Sequence, residues 1–298
     1  MSQDLILFLQ LVASGVAIGS IYALVALGFV LIYKSTDVLN MAQGEMLMIG
    51  AWVSFSLIVD YGIPFVPAFL LTLVFSVFLG LAIERAVLRP LIGQPIISVI
   101  MVTIGLSIAL RAVVIAIWGT QFQRYPTPIQ DSVVNIGPIP IAEVYIWSLA
   151  TSLLLVGGLT LGFRFTRMGI AMRAVADDQQ AALSVGISVR RVFAMAWIIS
   201  AVVSTIGGIL LANIQGVGIA LSAVGLKALP VSIVGGLDSI PGAIVGGILI
   251  GVLENLSSGY LDGPLGGGVR EVAPYVVLVL ILLVKPYGLF GKERIERV

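Results

Sequence analysis

Two short polar stretches interrupt an otherwise apolar chain, and their residue types bound the chemistry open to it. The first runs Leu39-Asn40-Met-Ala-Gln43-Gly44-Glu45. Two amides and a carboxylate offer donors and acceptors but no nucleophile. A charge at the centre of a membrane helix costs about 2.5–3.5 kcal/mol or more, so Glu45 must face protein or water. If a helix begins near Gly44, its first amides satisfy a carboxylate, either Glu45 itself or that of a solute. The second stretch runs Gly235-Gly236-Leu-Asp238-Ser-Ile-Pro-Gly242. Each stretch precedes an apolar segment rich in small residues, a faint internal repeat. Paired interruptions in the two halves of a membrane carrier point to discontinuous helices on a solute path. The candidate pathway residues are therefore Asn40, Gln43, Gly44, Glu45, Gly235, Gly236, Asp238 and Gly242. Two cations, Arg111 and Lys227, also fall inside apolar segments and are expected to snorkel or to pair with a carboxylate.

Much chemistry is excluded. The chain has no cysteine and no histidine, which removes thiolate nucleophiles, disulfides, the usual proton shuttle and the commonest zinc ligands. No Gly-x-x-x-x-Gly-Lys-Ser/Thr phosphate loop occurs. The nearest approach, Gly291-Lys292, is followed by Glu293 and has Pro286 where the first glycine belongs. The chain is expected to be no enzyme, to bind no cofactor or metal, and to take any ATP-derived energy from a separate subunit. A net charge of +1 gives no field for nucleic acid.

The elements that must position these residues are membrane helices. Of 298 residues, 59% are hydrophobic and 10% charged, with a mean hydropathy of +1.13. Soluble domains carry about 25% charged residues. A bilayer core needs roughly 20 apolar residues per helical crossing. Apolar segments lie at 5–33, 41–59, 64–84, 96–118, 141–163, 191–213, 217–235, 240–258 and 272–286. The expected fold is all-α: a polytopic transmembrane bundle of eight or nine spans, some discontinuous, in one membrane domain covering 1–298. The first run is too long for a signal h-region and reads as a retained span.

Basic residues orient the bundle. Loops 34–40, 85–95 and 164–191 with the tail 285–298 hold 12 of the 16 Lys and Arg residues, whereas the opposite loops hold only Arg124 and Arg270. The positive-inside rule places the first set in the cytoplasm, with the N-terminus outside and the C-terminus inside. Outside, the loop 119–140 with four prolines reads as ordered but not helical, and the stretch Ser257–Val269 is rich in glycine. Glu254 and Asn255 are expected to end an apolar helix at the external interface. Trp118, Tyr145 and Trp147 fit an aromatic belt. Gly15-x-x-x-Gly19, Gly242-x-x-x-Gly246 and Gly247-x-x-x-Gly251 permit close helix approach without naming a partner.

The loop 164–191 carries the remaining signal. Arg173–Val185 predicts a short amphipathic helix, with Asp177, Asp178 and Gln179 exposed and Gly186 as its stop. By composition it is either a groove-filling helix for a soluble partner or a connection that merely obeys the charge rule. Arg173-Ala-Val-Ala-Asp177-Asp178, followed by Ala181-Ala182-Leu-Ser-Val-Gly186, resembles the loop by which permeases of ABC importers contact their ATPases. The family signature is Glu-Ala-Ala, three residues, then Gly. Here Gln180-Ala181-Ala182 and Gly186 keep that spacing with Gln for Glu, and the later Ile-x-Leu-Pro is missing.

The stretch Asn40-Met-Ala-Gln43-Gly44-Glu45 and the block Ile233–Gly247 also resemble the branched-chain amino acid permeases, specifically the shorter of their two permease subunits. The resemblance runs from about Leu5 to Phe290. It implies an ATPase-docking role for Arg173, Asp177, Asp178, Ala181, Ala182 and Gly186. It further implies a second homologous permease subunit, two cytoplasmic ATP-binding subunits and a periplasmic substrate-binding protein in a bacterial inner membrane. Within the class a urea or short-amide permease is the alternative. Outside it stand a lone ion-coupled carrier, disfavoured by sparse intramembrane carboxylates, and a membrane enzyme, disfavoured by the missing catalytic groups.

Overall fold

The computed structural model describes residues 3–126, 132–137 and 139–291. Residues Gln130 and Asp131 of the 119–140 loop, and Lys292, Arg294 and Arg297 of the basic tail, lie outside the described residues, as does the Lys292-Glu293 pair.

Six helices are long and apolar enough to cross a membrane among the described residues: α1 (Gln3–Thr36), Phe65–Leu91, α4 (Ile96–Trp118), α5 (Glu143–Phe165), α8 (Val189–Gln215) and α11 (Ile240–Leu265). Phe65–Leu91 comprises α3 (Phe65–Ile83), a π-turn at Glu84–Leu88 and a 3-10 turn at Arg89–Leu91. Shorter helices are α2 (Gln43–Val59), α6 (Arg167–Asp177), α7 (Gln179–Ser184), α9 (Ala220–Leu226), α10 (Ala228–Gly235) and α12 (Val269–Val284). Helices α1 to α5 and α11 of the described residues are apolar on every face, the pattern of a buried or membrane-spanning helix and not of a soluble amphipathic one, whereas α6 is amphipathic. Six long spans stand against the eight or nine expected, because three of the nine apolar segments form shorter or broken helices.

The described residues fall into two compact units. The first draws on Met1–Val30, Ile129–Val156 and Lys227–Val298. Its seam is glycine on glycine: Gly15 and Gly19 of α1 face Gly247 and Gly251 of α11, so a Cβ on Gly19 would stand 2.6 Å from the Gly247 carbonyl oxygen. Two of the three small-residue motifs thus pack against each other, which lets the backbones touch. The third, Gly242 and Gly246, packs on Gly235 and Val231 of α10. The end of α10 is closed by the chain after α12: Leu289 N donates to Val234 O (2.8 Å) and Phe290 N to Gly235 O (3.0 Å). Carbonyls that a helix end leaves open are thereby satisfied.

The second unit draws on Leu31–Pro128 and Gly157–Leu226 and is built around α8. At its first two turns, Val192, Phe193 and Ala196 pack with Met172 and Val175 of α6 and Ala182 of α7. Further along, Trp197 and Ala201 pack with Met46, Ile83 and Val99. Helices α3, α4 and α5 leave most of their apolar surface open, as helices facing lipid or another subunit do.

Several sequence expectations are corrected. The 119–140 loop is not among them: as expected it is ordered and non-helical among its described residues, with β1 (Val133–Ile136) and β2 (Ile139–Ala142) in an antiparallel hairpin. The single helix expected over 173–185 is two. Asp178 adopts extended backbone (φ −157°, ψ 112°), and its side chain accepts from Gln180 N and Ala181 N. An aspartate that can cap a new helix competes with continuation of the old one. Gln179 is half-buried, not exposed. Gly186 ends the pair as expected, at φ +86°. The apolar segment 217–235 is interrupted at Lys227, between α9 and α10. Helix α11 continues to Leu265, so Glu254 and Asn255 sit within it, and most of the glycine-rich stretch after Ser257 is helical.

Candidate functional site

In the second unit the polar stretch after α1 breaks the helix, and its side chains explain how. Asn40 Oδ1 accepts from Ala42 N (3.0 Å) and Nδ2 donates to Gln43 Oε1 (3.0 Å), closing a turn that starts α2. Gln43 then ties α2 to α8: Nε2 donates to Ser204 Oγ (2.7 Å) and Oε1 accepts from Ser200 Oγ (2.9 Å). Asn40, Gln43, Gly44 and Glu45 are all buried. Gly44 lies so close to the Ser222 carbonyl of α9 that no side chain fits there.

The depth of the break follows from α4. At 1.5 Å per residue, Thr103 and Arg111 lie about 10 and 22 Å along that helix. Thr103 Oγ1 accepts from Met41 N (3.4 Å) and donates to Leu39 O (3.3 Å), and Arg111 Nη2 reaches Glu45 Oε1 (2.6 Å). The break therefore runs beside the middle of an apolar helix. Non-helical backbone at such depth occurs only where protein or a water-filled path surrounds it.

Glu45 is paired with a cation. Arg111 Nη2 also donates to Ser222 Oγ (3.1 Å), so the guanidinium joins α2, α4 and α9. Both members of this pair were legible as charges inside apolar sequence, but their pairing was not. Arg111 belongs with the candidate pathway residues, and its signal was an arginine inside an apolar run. Nearer the end of α2, Trp118 stacks on Trp52 at 5.8 Å and donates to Ser56 Oγ (2.6 Å). Trp118 therefore does more than line a belt. Ser54 shares a 2.6 Å hydrogen bond with Tyr125, whose phenol burial pushes up to about 12 against the pull of that bond.

In the first unit, Gly235 and Gly242 meet backbone to backbone where α10 ends and α11 begins. Gly236 has φ +107°, and Ser239 caps α11 through Gly242 N (3.1 Å). Asp238 is half-buried in the connecting turn. A second ion cluster lies in this unit, and it corrects the expectation that Glu254 meets the external interface. Glu254 Oε1 accepts from Lys227 Nζ (3.1 Å), Arg270 Nε (2.8 Å) and the Tyr22 hydroxyl (3.3 Å), and Lys227 also pairs with Glu271 (3.2 Å). Lys227 and Glu254 are 2% and 1% exposed, and a charge that deep persists only when paired.

The residues of the 164–191 loop divide between anchor and surface. Arg173 donates to Phe163 O and to Arg164 O (3.2 Å), and its guanidinium lies over the Phe163 ring at 5.5 Å. It closes the end of α5, where cations are favoured. Ala182 is buried against α8, whereas Asp177, Asp178, Ala181 and Gly186 are exposed. Leu183 and Val185 stand 58% and 75% exposed beside them.

Residues 11–285 match the family described as branched-chain amino acid transport system / permease component. The high-affinity branched-chain amino acid transport system permease protein LivH of Escherichia coli K12 is 34% identical, with all of both chains covered. BraD of Pseudomonas aeruginosa, of the same description, is 31% identical over 98% of each chain. The probable branched-chain amino acid transport permease protein LivH of Methanocaldococcus jannaschii is 30% identical, covering 92% of this chain and 90% of the relative. Among solved structures, PsaBC from Streptococcus pneumoniae in complex with Fab matches 94% of this chain and 92% of its own, at a TM-score of 0.52 and 16% identity. That last likeness speaks for the fold alone. The chain is a multi-pass membrane protein and belongs to the family of permease components of branched-chain amino acid transport systems.

Proposed function

We propose that this chain is the shorter of two permease subunits of an ATP-driven importer that carries leucine, isoleucine and valine across a bacterial inner membrane. Full-length likeness to high-affinity branched-chain amino acid permeases supports the substrate class. The partners are a second homologous permease, two cytoplasmic ATP-binding subunits and a periplasmic substrate-binding protein. Nine crossings fit the six long helices plus α2, the α9–α10 pair and α12, all in one membrane domain. An odd number agrees with the basic-residue asymmetry: the N-terminus lies outside and the chain after α12 inside.

The observation that carries the mechanism is the reach of α8. Its start packs on α6 and α7, the proposed docking pair, and Ser200 and Ser204 further along hold Gln43. Asp177, Asp178, Ala181 and Gly186 lie on the docking surface, beside Leu183 and Val185, which give a soluble partner apolar area to cover. Arg173 and Ala182 fix the pair to α5 and α8. When the ATPases close, α6–α7 moves, α8 tilts as a rigid rod, and the Asn40–Glu45 break shifts with it. The Gly235–Gly242 turn, with Gly236 and Asp238, serves as the corresponding break in the first unit. Alternating access follows from two such breaks adopting two packings.

Reconstitution of the chain with its second permease, ATPases and binding protein tests this. ATP-dependent uptake of labelled leucine, competed by isoleucine and valine but not by urea or acetamide, is expected. Uptake of urea with none of leucine would contradict the substrate class.

A further inference from the structure

We infer that Arg111 recognises the α-carboxylate of the transported amino acid, and that Glu45 acts as a resident counter-ion that keeps this grip weak. The inference rests on the proposed amino acid transport and adds the residue that handles the charged end of the substrate.

A branched-chain amino acid is a zwitterion with an apolar tail. The tail needs nothing special from an apolar bundle, but the two charges do. Arg111 lies about 22 Å along an apolar helix of about 34 Å, well inside it. Its side chain is nevertheless 41% exposed. A guanidinium open to hydrocarbon is strongly disfavoured, so the open side must meet water or protein. Snorkelling to the membrane surface is ruled out by the pinning of Nη2 on Glu45 and Ser222.

The pair is also incompletely used. Both of these bonds to Arg111 run through Nη2, and Nε is buried without a hydrogen-bond partner among the described residues, so it is not part of the open side. Glu45 is fully buried, yet its Oε2 has no partner among the described residues either. A guanidinium fork presents donors for two carboxylates at once. With the donors of Nη2 used and Nε buried, Nη1 is left for a second carboxylate, while Glu45, fully buried, stays out of a solute's reach and acts only as the counter-ion. Because the pair is neutral overall, a neutral zwitterion enters without adding net charge. Glu45 already neutralises the guanidinium, so the substrate carboxylate is held less firmly than by a free arginine. A translocation path needs that weakness, since a site that binds tightly does not release.

The test uses the complete transporter in proteoliposomes, with leucine as the probe. The readout is leucine imported per ATP hydrolysed. Arg111→Lys keeps a cation against Glu45 but loses the second edge, and the ratio is expected to fall at least fivefold. A role confined to holding α2 against α4 would lower uptake and hydrolysis together and leave the ratio unchanged, which would overturn the proposal. Recovery of the Arg111→Lys complex without its second permease would assign Arg111 to a subunit interface and overturn it equally. Glu45→Gln frees the guanidinium, so leucine inside the vesicles should inhibit import at several-fold lower concentration. Unchanged inhibition would overturn the proposal, and this reading decides alone if the arginine variant does not assemble. A wild-type transporter that imports no leucine would refute the substrate class, and not the Arg111 role specifically.

Discussion

At the scale of single residues, two buried polar clusters differ in kind, and the difference has a measurable size. Gln43 joins α2 to α8 through neutral hydrogen bonds to Ser200 and Ser204. Interhelical hydrogen bonds in membranes are worth about 0.6 kcal/mol on average and about 1–2 kcal/mol at most. Gln43→Leu should therefore cost about 1 kcal/mol. Lys227 is different, because removing it leaves Glu254 buried with one fewer cation. Breaking a buried ion pair costs about 3–5 kcal/mol. Since Arg270 still donates to Glu254, Lys227→Met should fall near the low end, about 3 kcal/mol. Denaturant unfolding in mixed micelles would rank the two. Equal midpoints for both variants would contradict the assignment of Lys227 to a closed ionic cluster. The need for such partners was legible in the sequence, since Glu45, Arg111 and Lys227 all interrupt apolar runs. Their identity was not, because Arg111 is 66 positions from Glu45 and no local rule spans that distance.

At the scale of elements, hydropathy located the long helices because length and apolarity are local properties. It missed the breaks at Lys227 and Asp178. The segment 217–235 carries Lys227 and, in the first turn of α10, Pro230, but hydropathy averages over both and so registers no turn. At Asp178 the choice between continuing a helix and capping a new one is decided by side-chain hydrogen bonds that periodicity does not register. The glycine motifs were visible, but their mates were not, since Gly19 and Gly247 meet only in the fold.

The α6–α7 pair offers its own prediction. Asp178→Ala removes the cap of α7, worth about 1 kcal/mol, and Gly186→Val forces a β-branched residue into the left-handed region at φ +86°. Nothing lies within 4 Å of a Cβ at Gly186, so the strain there is of backbone and not of packing. The double variant should insert normally, yet import leucine at less than a tenth of the wild-type rate per ATP hydrolysed. Normal import would remove the docking role from this pair.

At the scale of the whole molecule, topology and energy supply stand together. The proposed topology puts the 164–191 loop on the cytoplasmic side. Because the chain has no cysteine, a single Asp178→Cys change gives a unique thiol. It should react with a membrane-impermeant maleimide in inside-out vesicles and not in intact right-side-out ones; the opposite pattern would invert the bundle. The chain's relatives are permease components, and its rod-like α8 reaches from a surface pair of helices to a break beside the middle of α4. In the proposed mechanism, force enters through α6 and α7 from outside the chain. The most direct measurement is leucine accumulation against a gradient in proteoliposomes holding this chain, its second permease and the binding protein, with and without the ATPases. Accumulation is predicted only when the ATPases and ATP are present. Accumulation without them, driven by an ion gradient, would show that the energy does not enter through α6 and α7.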